Sequence, residues 1–315
     1  MEKICLGIHA SLLGDSVLNK GKYKGDRFLK DTLGCFVDYV PVYPEEECGL
    51  EEVWEALRLE GDLASPRLKH PKTGKDYTAR VTGWSRKKAG ELEGEGLCGF
   101  IFKSRSPISG MERVHVHAED GSRRKEGVGL FASILMDRFP LLPVEEDGRL
   151  HDPGLRENFI ERIFVFKRWR EMLAGGKRIG RLVDFHTRHK LLILSHSPKH
   201  YTSLGRLVAR AKGMDPQEVH GQYLSLLLEA IRLKATAKKH TNVLHHLMGY
   251  FKKDLSGGEK QELLEVIERY HGGTLPLIVP ITLMNHYVRK YDQHYLREQV
   301  YLSPHPLELK LRNHA

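Results

Sequence analysis

Apolar runs alternate with amphipathic segments over the first half of this 315-residue chain. Short apolar runs at residues 4–10, 36–42, 97–102 and 113–117 predict buried strands. Apolar positions at helical spacing predict helices around residues 26–33, 76–92 and 129–139. Strands that alternate with helices in this way predict an α/β domain, a Rossmann-like fold with a doubly wound parallel sheet.

The pattern becomes helical throughout after a turn-rich, charged break at Glu145-Glu146-Asp147-Gly148. Pro153 begins a long helical pattern that ends at Gly175-Gly176, and we interpret this helix as a connector. Further helices are predicted at residues 182–196, 198–212, 216–233, 236–253, 257–271 and 276–292. The predicted organisation is an α/β domain at residues 1–150, a connector helix at 151–180 and an all-α domain at 181–315.

Charge and histidine content also differ between the two halves. Residues 1–150 carry 23 Lys and Arg against 25 Asp and Glu, a net of about −2, whereas residues 151–315 carry 27 against 16, about +11. Of the 18 histidines, 14 lie in the second half. A basic, histidine-rich domain favours a polyanionic partner, and the alternative is a solvated basic face.

The sequence shows no pattern typical of secretion or membrane insertion. Met1-Glu2-Lys3-Ile4 leads directly into a predicted strand, without the charged and apolar regions of a signal peptide. The apolar stretch at residues 275–281 contains two prolines and is far shorter than a membrane span. Four cysteines without framework spacing fit a reducing compartment. We therefore expect a cytoplasmic protein with no membrane partner.

Three short polar segments follow predicted strands. They are His9-Ala10-Ser11-Leu12-Leu13-Gly14, Pro41-Val42-Tyr43-Pro44-Glu45 and Lys103-Ser104-Arg105-Ser106-Pro107-Ile108-Ser109-Gly110. Ligands of doubly wound sheets bind beyond the carboxyl ends of the strands. We therefore expect the three segments to border one crevice, although 98 residues separate Ser11 from Ser109.

These segments resemble the motifs S-A-C-L-L-G, V-C-P-E and S-P-S-C-G of the thiouracil desulfidase (TudS) family. The resemblance implies a site in which the three cysteines hold a 4Fe–4S cluster, whose open iron takes the substrate's sulfur. This chain has Ser11, Tyr43 and Ser109 at those positions. Because iron–sulfur clusters need soft thiolate donors, we expect the cluster to be absent, no other cofactor to replace it, and desulfidase activity to be lost.

The remaining cysteines leave an alternative open. Cys5, Cys35, Cys48 and Cys98 form no C-x-x-C pair and occupy no cluster position of the family motifs, so we interpret them as small core residues. A displaced cluster that uses Cys48 is the alternative. In that case the protein would be an active desulfidase acting on 4-thiouridine in tRNA or on free thiouracil.

Other positions of the predicted crevice are also altered. The family pattern V-R-Y-[DN]-G-G-H-K corresponds to residues 17–24, where this chain has Leu18, Tyr23 and Lys24, and G-L-x-V-P-R corresponds to residues 49–54, which end in Trp54. Since removal of thiols would not require these further changes, we favour drift over deliberate replacement of the cysteines.

The desulfidase resemblance makes the retained Glu45 and Ser106 the candidate catalytic residues. The alternatives are a solvated acidic face for Glu45 and an ordinary turn for Ser106.

A serine nucleophile is another possibility for this crevice. His9 and Ser11 are two residues apart on a predicted strand, so their side chains share one face, and His9 is a candidate base for Ser11. A single His-x-Ser pair is not specific, and we favour a solvated or core-edge histidine.

The second half resembles the YbgA-type domain. The matching segments are residues 185–192, 240–253 and 301–306, which begin Phe185-His186-Thr187, His240-Thr241-Asn242 and Tyr301-Leu302-Ser303. Two-domain relatives of the RudS type combine this domain with the desulfidase domain. The resemblance implies sulfur removal from 4-thiouridine in tRNA, with the helical domain holding the RNA.

Basic residues alternate with aromatic residues in this half, as in Tyr250-Phe251-Lys252-Lys253 and residues 286–291. Cations neutralise phosphates and flat rings stack on unpaired bases, so this pattern favours tRNA or another structured RNA as partner. The candidate RNA contacts are His186, Arg188, His189, Lys190, His245, Tyr250, Lys252, Lys253, Arg289 and Lys290.

A metal site at His186, His189, His245 and His246 lacks an acidic ligand at suitable spacing, so we expect no metal.

The sequence therefore predicts a tRNA-binding protein of the thiouridine desulfidase family with a degenerate cluster site. An active desulfidase is the alternative, and whether the chain is an enzyme stays open. Composition and motifs leave the oligomeric state undetermined.

Overall fold

The computed structural model describes residues 3–14, 25–118 and 121–313. It divides into two compact units, Met1–His151 and Asp152–Ala315. The predicted family segment at residues 17–24, with Leu18, Tyr23 and Lys24, lies outside the described residues.

The first unit contains two sheets. Its strands are β1 (Ile4–His9), β2 (Val37–Val42), β3 (Arg58–Glu60), β4 (Arg67–Lys69), β5 (Phe100–Phe102), β6 (Val114–His117), β7 (Arg123–Gly127) and β8 (Val144–Glu146). The first sheet has the order β2-β1-β5-β8 and every pairing in it is parallel. The predicted α/β class with a parallel sheet is confirmed.

The second sheet was not predicted. It has the order β4-β3-β6-β7, with β3 antiparallel to β4, β6 antiparallel to β7 and β3 parallel to β6. The predicted strand at residues 113–117 is correct as a strand, but it pairs in this second sheet. Periodicity along one strand indicates its conformation and does not specify its pairing partner.

Helices α1 (Pro44–Glu47), α2 (Thr78–Leu92) and α3 (Leu130–Arg138) complete the first unit, and π-helical and 3₁₀ turns span Phe28–Thr32 and Leu33–Cys35. Aromatic rings fill the space between the parallel sheet and α3: the centroids of Phe100 and Phe131 lie 5.8 Å apart and those of Phe102 and Phe131 6.2 Å apart. Strand β1 has buried residues on both of its faces, as expected for an interior strand. The residues that follow β1 are therefore held by a packed core.

The second unit is all-α, as predicted. Its helices are α4 (Pro153–Ala174), α5 (Ile179–His196), α6 (Pro198–Arg210), α7 (Pro216–Arg232), α8 (Ala237–Gly249), α9 (Gly257–His271), α10 (Ile278–Lys290) and α11 (His294–Arg297). The side chain of Ser197 caps α6 by accepting from the N–H of His200, as the Ser197-Pro198 pair indicates.

Helix α4 belongs to the core of this second unit. Trp169 on α4 is 1% exposed, and its ring is stacked on that of Tyr223 with centroids 5.4 Å apart. The sequence separated residues 151–180 as a connector, and the domain boundaries at 150 and 180 stay predictions. Across the described parts of both units, no helix is long and apolar enough to span a lipid bilayer.

Candidate functional site

The three predicted polar segments lie at one edge of the parallel sheet. Ser11 follows the end of β1, Tyr43 follows β2, and Ser109 lies in the loop after β5. Because β1 is paired with β2 on one side and with β5 on the other, the chain reverses its winding direction beside β1. Such a switch point is where open α/β sheets form a ligand crevice.

His9 connects Ser11 to Glu45 at this edge. The Oγ of Ser11 lies 2.9 Å from Nδ1 of His9, and Nε2 of His9 lies 3.2 Å from Oε2 of Glu45. The exposed fractions are 3% for His9, 6% for Ser11 and 8% for Glu45. The three side chains therefore form a hydrogen-bonded chain that is shielded from bulk water.

Backbone geometry fixes the tautomer of this imidazole. The N–H of Ser11 points at Nδ1 of His9 over 3.3 Å, so Nδ1 must be an acceptor. Nε2 then carries the proton and donates to Glu45. Burial alone would raise the pKa of Glu45, but the hydrogen bond from His9 and the charge of Lys103 leave that pKa lowered. Glu45 is therefore a carboxylate and not part of a solvated acidic face.

Ser106 organises the loop after β5. Its Oγ accepts from the N–H of Ile108 over 3.2 Å and from the N–H of Ser109 over 3.1 Å. This arrangement is a serine turn, which was the alternative interpretation of Ser106. The Oγ of Ser109 is buried and has no hydrogen-bond partner within the described part of the chain.

Acidic residues at the end of β8 hold the same loop. Asp147 accepts from the N–H of Ser104 over 2.7 Å, and Glu146 accepts from the N–H of Met111 over 3.3 Å. Glu145 is 4% exposed and pairs with Arg149 at 2.6 Å. Sequence reasoning missed this support because the acidic residues were interpreted as a break between domains, while β8 is a three-residue strand.

Tyr43 lies half-buried between β2 and α1. Its N–H donates to Oε1 of Glu47 over 3.1 Å, and Oε2 of Glu47 accepts from the indole N–H of Trp84 over 3.2 Å. Lys88 lies 2.6 Å from the same carboxylate oxygen. The position where the family has its second cysteine therefore presents a phenol on a segment tied to α2.

The sulfur donors of this chain do not fit a 4Fe–4S cluster at the crevice. Cys5, Cys35 and Cys98 lie at or before the amino-terminal ends of β1, β2 and β5, which is the opposite edge of the sheet. Cys48 follows α1 on the crevice side, but burial raises the pKa of its thiol to about 12. A protonated thiol and three hydroxyl groups are poor ligands for iron.

In the helical unit, several candidate RNA contacts share one surface. The ring of Tyr250 is 43% exposed and is stacked on the ring of Tyr295, with centroids 5.1 Å apart. The Nζ of Lys190 lies 5.1 Å from the centroid of the Tyr295 ring. We call Lys190, Tyr250 and Tyr295 the aromatic–lysine surface. Other exposed members of the candidate set are Arg188, His245, Lys252, Lys253, Arg289 and Lys290.

Two of the candidate RNA contacts are buried. His189 is 3% exposed, is stacked on Phe185 with centroids 3.8 Å apart, and burial lowers its pKa to about 3. His186 lies with Nδ1 3.0 Å from the hydroxyl of Tyr223, and burial lowers its pKa to about 4. Both imidazoles are therefore neutral core groups, and we omit them from the proposed RNA-binding surface.

The helical unit also has a cavity of about 490 Å³ with ionisable side chains in its lining. Among its lining residues are Glu157, Glu161, His196 and His240. Burial and the charge of Glu161 raise the pKa of Glu157 to about 7. Glu161 has a lowered pKa because the hydrogen bond and charge of His196 and the charge of Arg312 outweigh its burial.

These carboxylates also belong to the one group with metal-ligand spacing found within residues 3–14, 25–118 and 121–313, namely Glu157, Glu161 and His305. Arg312 already faces this group: its Nη2 lies 3.1 Å from Glu161 and its Nε lies 3.5 Å from Glu157. A guanidinium in this place supplies the positive charge that a metal ion would bring. Of the four histidines that the sequence analysis weighed against a metal site, His245 and His246 are exposed on α8, whereas His186 and His189 are buried.

Comparisons with known proteins match each half separately. A family model for 2-thiouracil desulfurase matches residues 6–147, and one described as a protein of unknown function (DUF1722) matches residues 190–306. The uncharacterized protein YbgA of Escherichia coli (strain K12) is 32% identical over 153 residues, which are 48% of this chain and 90% of YbgA. No solved structure matches the chain significantly. The sheet edge that carries Ser11, Tyr43 and Ser109 lies in the first match and the aromatic–lysine surface in the second.

Proposed function

Because the chain belongs to the two-domain family that joins a 2-thiouracil desulfurase region to a YbgA-like region, we propose that it binds tRNA or another structured RNA through its helical unit. It does so without holding a 4Fe–4S cluster and without removing sulfur. The observation that carries RNA binding is the exposed ring of Tyr250, which is stacked on Tyr295 beside Lys190.

A supported, exposed ring suits an unpaired base. Tyr250 already has one of its faces fixed against Tyr295, so little side-chain freedom is lost when a base stacks on it. Lys190 adds a cation beside the pair, and Lys252 and Lys253 follow two and three residues after Tyr250 in the sequence. Stacking combined with phosphate neutralisation is the usual basis of single-stranded RNA recognition.

The donor set of the crevice supports the loss of cluster chemistry. Ser11, Tyr43 and Ser109 offer hydroxyl oxygens, and the hydroxyl of Ser11 is engaged with His9. Thiolate donors would have to come from cysteines, of which three lie at the far edge of the sheet. We infer that the first unit retains the family fold without the family cofactor.

Gel-shift titration with a bulk tRNA preparation tests RNA binding. We expect binding that weakens as salt increases, Tyr250→Ala to weaken it roughly 5- to 150-fold, and Tyr250→Phe to retain it, because the stacking face remains. Leu307→Ala is a matched control, since Leu307 is another exposed large side chain, with 65% exposure. Binding that is insensitive to salt, or equal affinity of wild type and Tyr250→Ala, would reject the proposed surface.

An active desulfidase is the second candidate function. It is favoured by the retained Glu45, which is buried and ionised at the crevice. This candidate predicts sulfide release from tRNA that contains 4-thiouridine, or from free thiouracil, by the purified protein. Measured sulfide that stays at the level of a Glu45→Gln variant would reject it.

A further inference from the structure

The hydrogen-bonded chain after β1 has the composition of a hydrolytic triad. Ser11, His9 and Glu45 are joined by contacts of 2.9 Å and 3.2 Å, and all three are buried. A serine becomes nucleophilic when an imidazole accepts its proton and a carboxylate orients that imidazole. We propose that Ser11, His9 and Glu45 hydrolyse carboxylic esters, with Ser11 as the nucleophile.

The position of these residues suits a catalytic site. Ser11 lies in a short 3₁₀ helix, Ala10–Leu13, that directly follows the interior strand β1 and ends at Gly14, whose φ is 82°. This helix is at the switch point of the parallel sheet, the position where open α/β sheets bind their ligands. Ser11 lies at the edge where this fold class binds its ligands.

Two residues that differ from the desulfidase motif contact each other in this hydrogen-bonded chain. The motif S-A-C has serine and cysteine where this chain has His9 and Ser11. Loss of the thiol alone would require no histidine two residues earlier. Both new side chains are within hydrogen-bond distance of each other, and the new imidazole also reaches the retained Glu45.

The proton arrangement is the one that nucleophilic catalysis requires. The lone pair on Nδ1 of His9 faces Ser11, where the N–H at 3.3 Å and the hydroxyl at 2.9 Å share it, and the shorter contact is the one through which the hydroxyl proton passes to Nδ1. Nε2 donates to Glu45, which stabilises the imidazolium formed during attack.

The reaction is a double displacement. The Oγ of Ser11 attacks the ester carbonyl carbon while its proton moves to Nδ1 of His9. The carbon–oxygen bond to the alcohol breaks, and the alcohol leaves with the proton from His9. Water then attacks the acyl-serine, His9 takes a proton from the water, and the carboxylic acid leaves as Ser11 regains its proton. The alcohol and the acid are the two products, and no redox partner is needed.

A fluorophosphonate probe tests the nucleophile in the full-length protein, because it modifies activated serines. We expect tandem mass spectrometry to locate the adduct on Ser11 and p-nitrophenyl acetate to be hydrolysed. Ser11→Ala abolishes both signals, and His9→Ala lowers hydrolysis about a hundredfold or more. Free imidazole restores part of the His9→Ala activity. Ser203→Ala, in the helical unit, is the control and behaves as wild type.

The possible outcomes separate catalysis from a structural role. A purely structural His9 would lower stability, and imidazole would restore no activity. An unmodified Ser11 in wild-type protein, with a known serine hydrolase labelled in the same tube, overturns the triad. An adduct on Ser11 whose rate is the same in His9→Ala overturns the role of His9 as base. RNA binding by the helical unit is measured separately, so either activity can fail without the other.

Discussion

Arg312 and Glu161 form an ion pair that is closed off from solvent, with Nη2 of Arg312 3.1 Å from Oε1 of Glu161 and 3% of each side chain exposed. His196 reaches the other carboxylate oxygen of Glu161 at 3.0 Å, and Arg312 also donates to the carbonyl of Tyr301 over 2.7 Å. Each charge is therefore compensated inside the helical unit. A buried ion pair of this kind affects the stability of the fold most when one member is removed and the other charge is left buried.

Arg312→Met is expected to lower the free energy of unfolding of the helical unit by about 3–5 kcal/mol, because Glu161 would be left without its guanidinium. Urea titration followed by circular dichroism measures this change. Arg206→Met is the matched control, since Arg206 is exposed on α6 and its replacement should change stability by less than about 0.5 kcal/mol. A loss below about 1 kcal/mol for Arg312→Met would show that the pair is dispensable.

The helical unit is expected to lose stability on mild acidification. Burial lowers the pKa of His186 and His305 to about 4 and that of His189 and His240 to about 3. The unfolded chain binds protons at these imidazoles below pH 6.5, whereas the folded chain does not until pH 4 or lower. The stabilising contribution of each neutral imidazole is therefore present above pH 6.5 and is lost as pH falls. It amounts to about 1.4 kcal/mol for each unit by which folding lowers the pKa of that imidazole.

Glu157 opposes this effect, because its pKa is raised to about 7 and its contribution falls as pH rises from 4.5 to 7. Four imidazoles outweigh one carboxyl group, so the melting temperature should be lower at pH 5 than at pH 7.5. Thermal unfolding at constant ionic strength checks this prediction. A melting temperature that is equal or higher at pH 5 would mean that the imidazoles become protonated without unfolding.

Restoring thiolates should restore iron binding. After anaerobic incubation with iron and sulfide and then desalting, we expect the variant Ser11→Cys/Tyr43→Cys/Ser109→Cys to retain iron and acid-labile sulfide, and wild type to retain neither. The two elements are assayed in the desalted protein. If wild type retains both and loses them in Cys48→Ser, a displaced cluster is present, and the expectation of an absent cofactor is wrong.

Replacing the lysines near Tyr250 should weaken RNA binding only through the loss of their positive charge. Lys252→Gln with Lys253→Gln is expected to weaken RNA binding at low salt and to reduce the dependence of log affinity on log salt by roughly 1–2. Lys72→Gln with Lys75→Gln, in the first unit, is the control pair and should leave the slope unchanged. An unchanged slope in the first pair would place the phosphate contacts elsewhere.

Gly110 should be intolerant of a side chain. A Cβ at this position would lie 2.4 Å from Cγ2 of Val114 and 2.8 Å from the carbonyl oxygen of Ser106, so Gly110→Ala is expected to lower stability by about 1–3 kcal/mol. Gly83 in α2 has no atom within 4 Å of its Cβ position, and Gly83→Ala should raise stability by about 0.5–1 kcal/mol. Urea midpoints compare the two, and equal shifts would mean that the Ser106 loop moves freely.

Short charged strands are the part of the fold that the sequence did not reveal. Strands β3, β4 and β8 have three residues each, too few for a period of two to be recognised, and β7 begins Arg123-Arg124-Lys125-Glu126. Backbone pairing with a neighbour stabilises such segments more than their own side chains do. The second sheet was therefore recognised only from the strand pairing in the tertiary structure.

The candidate site was also predicted only in part from the sequence. Strand-end positions placed Ser11, Tyr43 and Ser109 at one edge of the sheet, because parallel strands have their carboxyl ends together. The contact of His9 with Glu45 joins residues 36 positions apart, and no local pattern encodes that distance. Burial of His186 and His189 was equally hidden, since histidine suits a core as well as an RNA-facing surface.

The sequence by itself determined the order of an α/β unit and an all-α unit, the helix starts at Ser197 and Pro153, and the loss of thiolates at three positions, because periodicity, capping and ligand chemistry are local properties. Tertiary structure decided which strands share a sheet, which imidazoles are neutral, and that Glu45 faces His9. These depend on neighbours brought together by folding, whose burial and charge the chain does not show along its length.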